Sequence, residues 1–205
     1  IDSLRDMPYV NDMQVYKIRK FYLVCLLVDN KTTLKKADVL SSFFSLSFFF
    51  CRDEMGLYND LDKLVDTIDS TIKNGGHFIG TTIDGKRTND LLSTLPNKKF
   101  DFEGGYIKIT DEDKGIVELL IKDTIVETQT ESLVDFGLLE RKLYDRGIFL
   151  KESEIFKDSV DLTERENILN SLYRTFVFYK ETNLQKYRRK TLDILRKRQA
   201  EIESS

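Results

Sequence analysis

The residue types most used in acid–base and metal chemistry are nearly missing from this sequence. It has one histidine, His77, and two cysteines, Cys25 and Cys51, among 205 residues. One imidazole supports neither a nucleophilic triad nor a zinc site, and two cysteines make neither a metal cage nor a disulfide framework. His77 follows a glycine pair and reads as structural. Both cysteines lie in apolar runs, which favours a reducing, intracellular setting. What remains for chemistry is carboxylates, aromatic rings and one basic tract. That tract holds Lys186, Arg188, Arg189, Lys190, Arg196, Lys197 and Arg198. It reads first as a solvated helix, with RNA phosphates or an acidic protein as the sharper alternatives. The chain as a whole carries no general basic coat, because its 35 acids outnumber its 32 bases and leave a formal charge of −3.

The elements that must position these groups follow from the apolar periodicity. Phe21–Val28 is a continuous apolar run closed by Asp29-Asn30, as expected of a strand buried on both faces. A second, Phe-rich run spans Ala37–Phe50. Leu57, Leu61, Leu64, Val65, Ile68 and Ile72 recur at helical spacing, and Asn74-Gly75-Gly76 supplies a glycine stop. The strand His77–Thr82 follows at once, so strand, helix and strand form a parallel crossover unit. Tyr106–Ile109 and Ile116–Ile121 read as a hairpin outside this alternation. A helix is expected from near Glu131, with Leu133, Phe136, Leu139 and Leu143 turned inward and Gly147 at its end. Thr163 and Glu166 make a capping box, and strands at Ile148–Leu150 and Tyr173–Tyr179 close the body in either order. Leu184–Glu201 is expected as a charged, weakly amphipathic helix.

The expected organisation is a lead-in over 1–20, an α/β domain over 21–180 and a charged tail over 181–205. No apolar run is long enough to span a bilayer, no signal-peptide pattern opens the chain, and its first residue is Ile1, which suggests a piece of something longer. Open α/β sheets bind ligands at the carboxyl ends of their strands. The candidate positions are therefore Asp29, Ser45–Phe50 and Thr81–Asp84.

The segment Gly75-Gly76-His77-Phe78-Ile79-Gly80-Thr81-Thr82 resembles the G-G-x-F-I-G-T-T strand of mRNA cap (guanine-N7) methyltransferases. The resemblance extends in order through Leu27-Val28-Asp29, Val126–Leu139 and Ser171-Leu172-Tyr173 with Phe176–Phe178, covering roughly residues 20–180. It implies a Rossmann-like class I methyltransferase sheet that lacks the first glycine-loop unit in this chain. It implies S-adenosylmethionine as cofactor and a capped RNA 5′ end as substrate. Asp29 would contact the cofactor's adenine, and Glu131 and Tyr173 would frame the cap guanine. Capping-enzyme or RNA polymerase subunits would be partners, in a nuclear or a viral cytoplasmic or virion setting, with no membrane and no metal.

Each of these residues also has a structural reading: Asp29 as a turn cap, Glu131 as a first-turn helix glutamate, Tyr173 as a sheet aromatic. The departures are specific too. No glycine occurs in Ile1–Lys20, where a cofactor loop would lie, and Phe43, Ser47 and Phe48 stand where the family has glutamine, histidine and tyrosine. Two functions follow from this. One is part of a cap guanine-N7 methyltransferase, active where upstream sequence supplies the cofactor loop. The other is an inactive methyltransferase-like domain that binds or scaffolds within a capping or transcription complex.

Overall fold

The computed structural model describes residues 9–10, 13–18, 21–25, 36–53, 55–122 and 128–203. The chain divides into two units, 1–35 and 36–205. In the first, β1 (Tyr9–Val10), β2 (Met13–Ile18) and β3 (Phe21–Cys25) form an antiparallel three-stranded sheet. This corrects the expectation for the apolar run: Phe21–Cys25 is a strand, but it pairs antiparallel with β2, Phe21 opposite Ile18. Asp29 lies outside the described residues.

The second unit is built on a mixed sheet. β4 (Ala37–Phe43) leads through a single 3-10 turn (Leu46–Phe49) and α1 (Asn59–Thr71) into β5 (Ile72–Ile83). β4 and β5 pair in parallel, with Val39 opposite His77 and Phe43 opposite Thr81, as the crossover unit requires. α2 (Gly85–Ser93) follows β5. Near the end of the chain come α3 (Phe136–Tyr144), β10 (Ile148–Ile155), α4 (Glu164–Asn170), β11 (Tyr173–Lys180) and α5 (Asn183–Glu203). β11 is inserted antiparallel between β10 and β5, giving the order β10-β11-β5-β4 and settling the late strand pair. The unit is therefore α/β with a Rossmann-like mixed sheet.

The glycines act differently from the expected helix stop. α1 ends at Thr71, and β5 runs straight through Gly75 and Gly76. At Gly80 a Cβ would stand 1.8 Å from the Ser42 carbonyl oxygen and 2.6 Å from the Phe176 ring. Glycine here lets β4 and an aromatic on β11 close on the centre of β5. Phe78, Phe136, Phe176 and Phe178 fill that centre, all buried, with ring centroids 5.1–6.2 Å apart. Leu61, Val65 and Ile68 of α1 and Leu139 and Leu143 of α3 add the buried stripes, with α1 packed on β5 and on α3.

The hairpin expected outside the alternation is a complete antiparallel sheet, β6 (Lys99–Phe102), β7 (Gly105–Asp111), β8 (Ile116–Ile121) and β9 (Thr128–Ser132), in the order β6-β7-β8-β9. Its inner face carries Phe100, Ile107, Ile109, Val117 and Leu119, all buried. The Thr163–Glu166 capping box forms, and it starts α4. α5 confirms the charged terminal helix.

Candidate functional site

The parallel pairing of β4 and β5 brings their carboxyl ends, Phe43 and Ile83, to the same pole of the sheet. β11 runs the other way and starts at that pole, with Tyr173 opposite Ile83. The end of β4 is turned out of the sheet by Phe44, whose φ of 53° is left-handed and whose N–H donates to the Thr81 carbonyl at 3.0 Å. The Phe-rich run then divides by role. Leu46 and Phe50 are anchored in the core, whereas Phe43, Phe44 and Phe48 are 57%, 55% and 62% exposed. The Phe44 ring stands edge-on to Tyr173 at 5.6 Å and to Phe156 at 6.5 Å, and Phe156 lies 6.1 Å from Tyr173. The three rings form one cluster beside the strand ends.

The antiparallel sheet supplies the acid. Glu131 is on β9, not in the first turn of a helix as expected. The reason is local: Thr128-Gln129-Thr130 pairs along β8, and the helix start belongs to Asp135, whose carboxylate accepts from the Leu138 N–H at 2.8 Å. Glu131 opposes Val117, which opposes Ile109, so all three share the inner face. A contact between Ser132 Oγ and Cys51 Sγ, 3.2 Å, ties β9 to the segment that follows the 3-10 turn.

Glu131 is half-buried, and loss of water raises its carboxyl above the ordinary glutamate value. The neighbouring Ser47 hydroxyl acts in the opposite direction by favouring the charged form. Ser47 is itself buried, and its Oγ has no partner that meets full hydrogen-bond geometry. Tyr173 is pushed up to about 12, first by burial and then by the charge of Glu131. The charge of Glu131 thus reaches Tyr173, 42 positions away and on a different sheet. The Thr81 hydroxyl, on the adjoining stretch of β5, is also buried without a partner.

Asp84, the other candidate at this pole, is not available to a ligand. It is buried; its Oδ1 accepts from the Arg87 N–H at 3.0 Å and caps α2, and its Oδ2 accepts from Arg174 Nε at 2.8 Å. Arg174 also lies 4.4 Å over the Phe136 ring. His77, in the middle of β5, packs against Tyr179 at 5.3 Å, its partner on β11. Phe44 and Phe156 escaped the sequence reading as members of the site. The one available signal was a second phenylalanine at the end of an apolar strand, followed by a serine.

No group of three or more His, Cys, Asp or Glu placed to hold a metal occurs among the described residues, and none of their helices is long and apolar enough to cross a membrane.

No family model matches the chain, and no curated protein matches it. Solved structures similar to it include an S-adenosylmethionine-dependent methyltransferase from Clostridium acetobutylicum, with 15% identity, a TM-score of 0.47, and coverage of 77% of this chain and 63% of that one. The CcbJ methyltransferase from Streptomyces caelestis shows 12% identity, a TM-score of 0.46, and coverage of 76% and 61%. A methyltransferase from Methanosarcina mazei, also S-adenosylmethionine-dependent, shows 11% identity, a TM-score of 0.47, and coverage of 76% and 65%. These are likenesses of fold. The chain spans less than two thirds of the length of each of these proteins.

Proposed function

We propose that this chain is part of an S-adenosylmethionine-dependent mRNA cap (guanine-N7) methyltransferase, and that its described residues form the side receiving the cap guanine. The observation that carries this reading is the ring cluster of Tyr173, Phe156 and the exposed Phe44 at the strand ends, within electrostatic reach of the half-buried Glu131. Guanine presents two N–H donors along one edge, and a partly desolvated carboxylate is a strong acceptor for such a pair. Glu131 is that carboxylate. Exposed aromatic faces at the same pole offer stacking surface for a base. The buried, unpartnered hydroxyl of Thr81 is a polar atom that a bound ligand would satisfy.

Attack by guanine N7 uses a ring lone pair, so no general base is required and positioning carries the catalysis. That agrees with a site whose described residues offer the Glu131 carboxylate and, among them, no histidine. S-adenosylmethionine, when bound, supplies a methyl group on a positively charged sulfur. The described residues do not by themselves fit that cofactor, because the strand ends present Phe43, Phe44 and Phe48 in place of a cradle of backbone amides. Asp29, the residue proposed for its adenine, lies outside them.

The same exposed rings favour a second reading, in which the domain holds a cap without methylating it. Calorimetry with the unmethylated cap dinucleotide GpppG, with ApppA and with S-adenosylhomocysteine tests both. Binding of GpppG over ApppA, weakened about 10-fold or more by Glu131→Gln, is the expected result. Equal binding of both dinucleotides, or indifference to Glu131→Gln, would overturn the guanine site. GpppG binding without S-adenosylhomocysteine binding would select the cap-holding reading.

A further inference from the structure

α5 begins where β11 ends, at the pole of the sheet opposite Tyr173. β11 has 8 residues, so the helix starts roughly 25 Å from the candidate site. It does not line that site, and its chemistry calls for a separate account.

The helix is attached by one side. The Glu181 carboxylate accepts from Arg189 Nη2 at 2.7 Å, and the same guanidinium lies 5.3 Å over the Phe149 ring. Gln185 Oε1 accepts from the Tyr179 hydroxyl at 2.8 Å. At 100° per residue, Gln185 and Arg189 fall on one side of the helix. Leu184, Tyr187, Thr191, Ile194 and Leu195 fall together on another side, as an apolar stripe. That stripe is turned outward: Leu184, Tyr187, Ile194 and Leu195 are between 54% and 70% exposed. A helix needed only as a solvated tail has no use for such a stripe, and a contiguous one marks a contact surface.

The charge narrows the occupant. α5 carries seven Lys and Arg against three acids, in a chain whose formal charge is −3. A second copy of α5 would set like charge against like. A run of nucleic-acid phosphates would use the cations and leave the Leu and Ile side chains in water. A neutral lipid surface would take up the stripe and leave the cations without a counter-charge. A protein groove with an apolar floor and an acidic rim uses both the stripe and the cations. We propose that α5 is a docking helix that seats Leu184, Tyr187, Ile194 and Leu195 in such a groove on another protein.

Calcium-loaded calmodulin, whose grooves have this chemistry, serves as the probe, with the full chain labelled for fluorescence anisotropy. The comparison ligands are an uncapped U20 RNA and vesicles of phosphatidylcholine with phosphatidylserine. The stripe is removed without changing charge by the double variant Ile194→Gln/Leu195→Gln. These positions are exposed, so the fold and any GpppG binding should be unchanged. The expected result is micromolar or tighter calmodulin binding that falls at least 10-fold in the double variant, with U20 binding weaker and insensitive to it. Absence of calmodulin binding would overturn the proposal. So would equal affinity of wild type and variant, or tighter stripe-dependent binding to the vesicles.

Discussion

Burial, and after it the charge of Glu131 on the edge strand of one sheet, favours the protonated form of Tyr173, the first residue of the last strand of the other. Neither residue owes this to its neighbours in sequence. The relationship exists because β9 turns Glu131 to the inner face of its sheet, while the reversed β11 opens at the pole where β4 and β5 end. A tyrosine shielded from water beside a carboxylate is costly to ionise, and that cost can be measured directly.

Tyr173 should titrate well above the ordinary tyrosine value. Its hydroxyl sits at about 12, with burial the larger cause and Glu131 the smaller. Glu131→Gln should therefore lower the Tyr173 midpoint while leaving it above the ordinary value of 10. Difference absorbance of tyrosinate near 295 nm, with Tyr173→Phe to assign the signal, reads this out. Because the folded value lies above the unfolded one, the contribution to stability is complete below pH 10 and is lost as pH rises toward 12. A midpoint unchanged by Glu131→Gln would show that the two groups do not interact.

Glu131 should be held in place at a cost in stability. Burial raises its folded pKa above the unfolded value, so its contribution is present below the ordinary glutamate range and lost as pH rises through the folded value. Glu131→Gln removes that ionisation. The variant should melt slightly higher than wild type at pH 7, by about 2 °C or less, and the gain should vanish near pH 4. Thermal unfolding at the two pH values is the measurement. A lower melting temperature at pH 7 would mean that the carboxylate is a structural acceptor.

Much of the second unit was legible in the sequence, because local rules and tertiary structure agree there. The Thr163–Glu166 capping box, the apolar stripe of α1 and the parallel step from β4 to β5 needed only periodicity and cap chemistry. The errors fall where a long-range partner decides. Phe21–Cys25 has the composition of a central strand, yet it pairs with Met13–Ile18, a segment whose mixed pattern gave no strand signal. Gly75-Gly76 looked like a helix stop, but the space that demands a small residue is set by β4: a Cβ on Gly76 would lie 2.8 Å from the Asp38 carbonyl oxygen. Glu131 and Tyr173 were singled out by resemblance, while the inner-face position of Glu131 depends on a four-stranded sheet of which only two strands were foreseen. Phe44 carries only a faint local signature, a second phenylalanine at a strand end followed by a serine. Its place in the ring cluster follows from a left-handed turn that the Thr81 carbonyl stabilises.

Asp84 should be essential to folding and irrelevant to the ligand. Its side chain is 4% exposed and that of Arg174 is 21% exposed. Removing one partner of such a buried pair strands the other charge, so Asp84→Ala should lose about 3–5 kcal/mol. Asp84→Asn should lose less, because the amide oxygen can still cap α2. Urea unfolding gives the two values, and GpppG affinity measured on the folded Asn variant should match wild type. A selective loss of affinity in that variant would return Asp84 to the site.

Gly80 and Gly75 stand only five positions apart on β5 but should respond to alanine in different ways. At Gly80 the added methyl meets the Ser42 carbonyl oxygen at 1.8 Å, and backbone of a paired strand has nowhere to go. Gly80→Ala should therefore separate β4 from β5 and cost more than about 4 kcal/mol, enough to leave little folded protein. Gly75 is open by comparison, its nearest neighbour being Thr182 Cγ2 at 3.5 Å, but its φ of +86° disfavours any side chain. Gly75→Ala should cost about 1–2 kcal/mol and leave a cooperative unfolding transition. Since Phe44 donates to the Thr81 carbonyl next to Gly80, the two variants also divide in function. Gly75→Ala should keep full GpppG affinity, whereas any residual folded Gly80→Ala protein should have lost the register that brings Phe44 against Tyr173. Equal stability of the two variants would mean that β4 and β5 do not approach as closely as Gly80 allows.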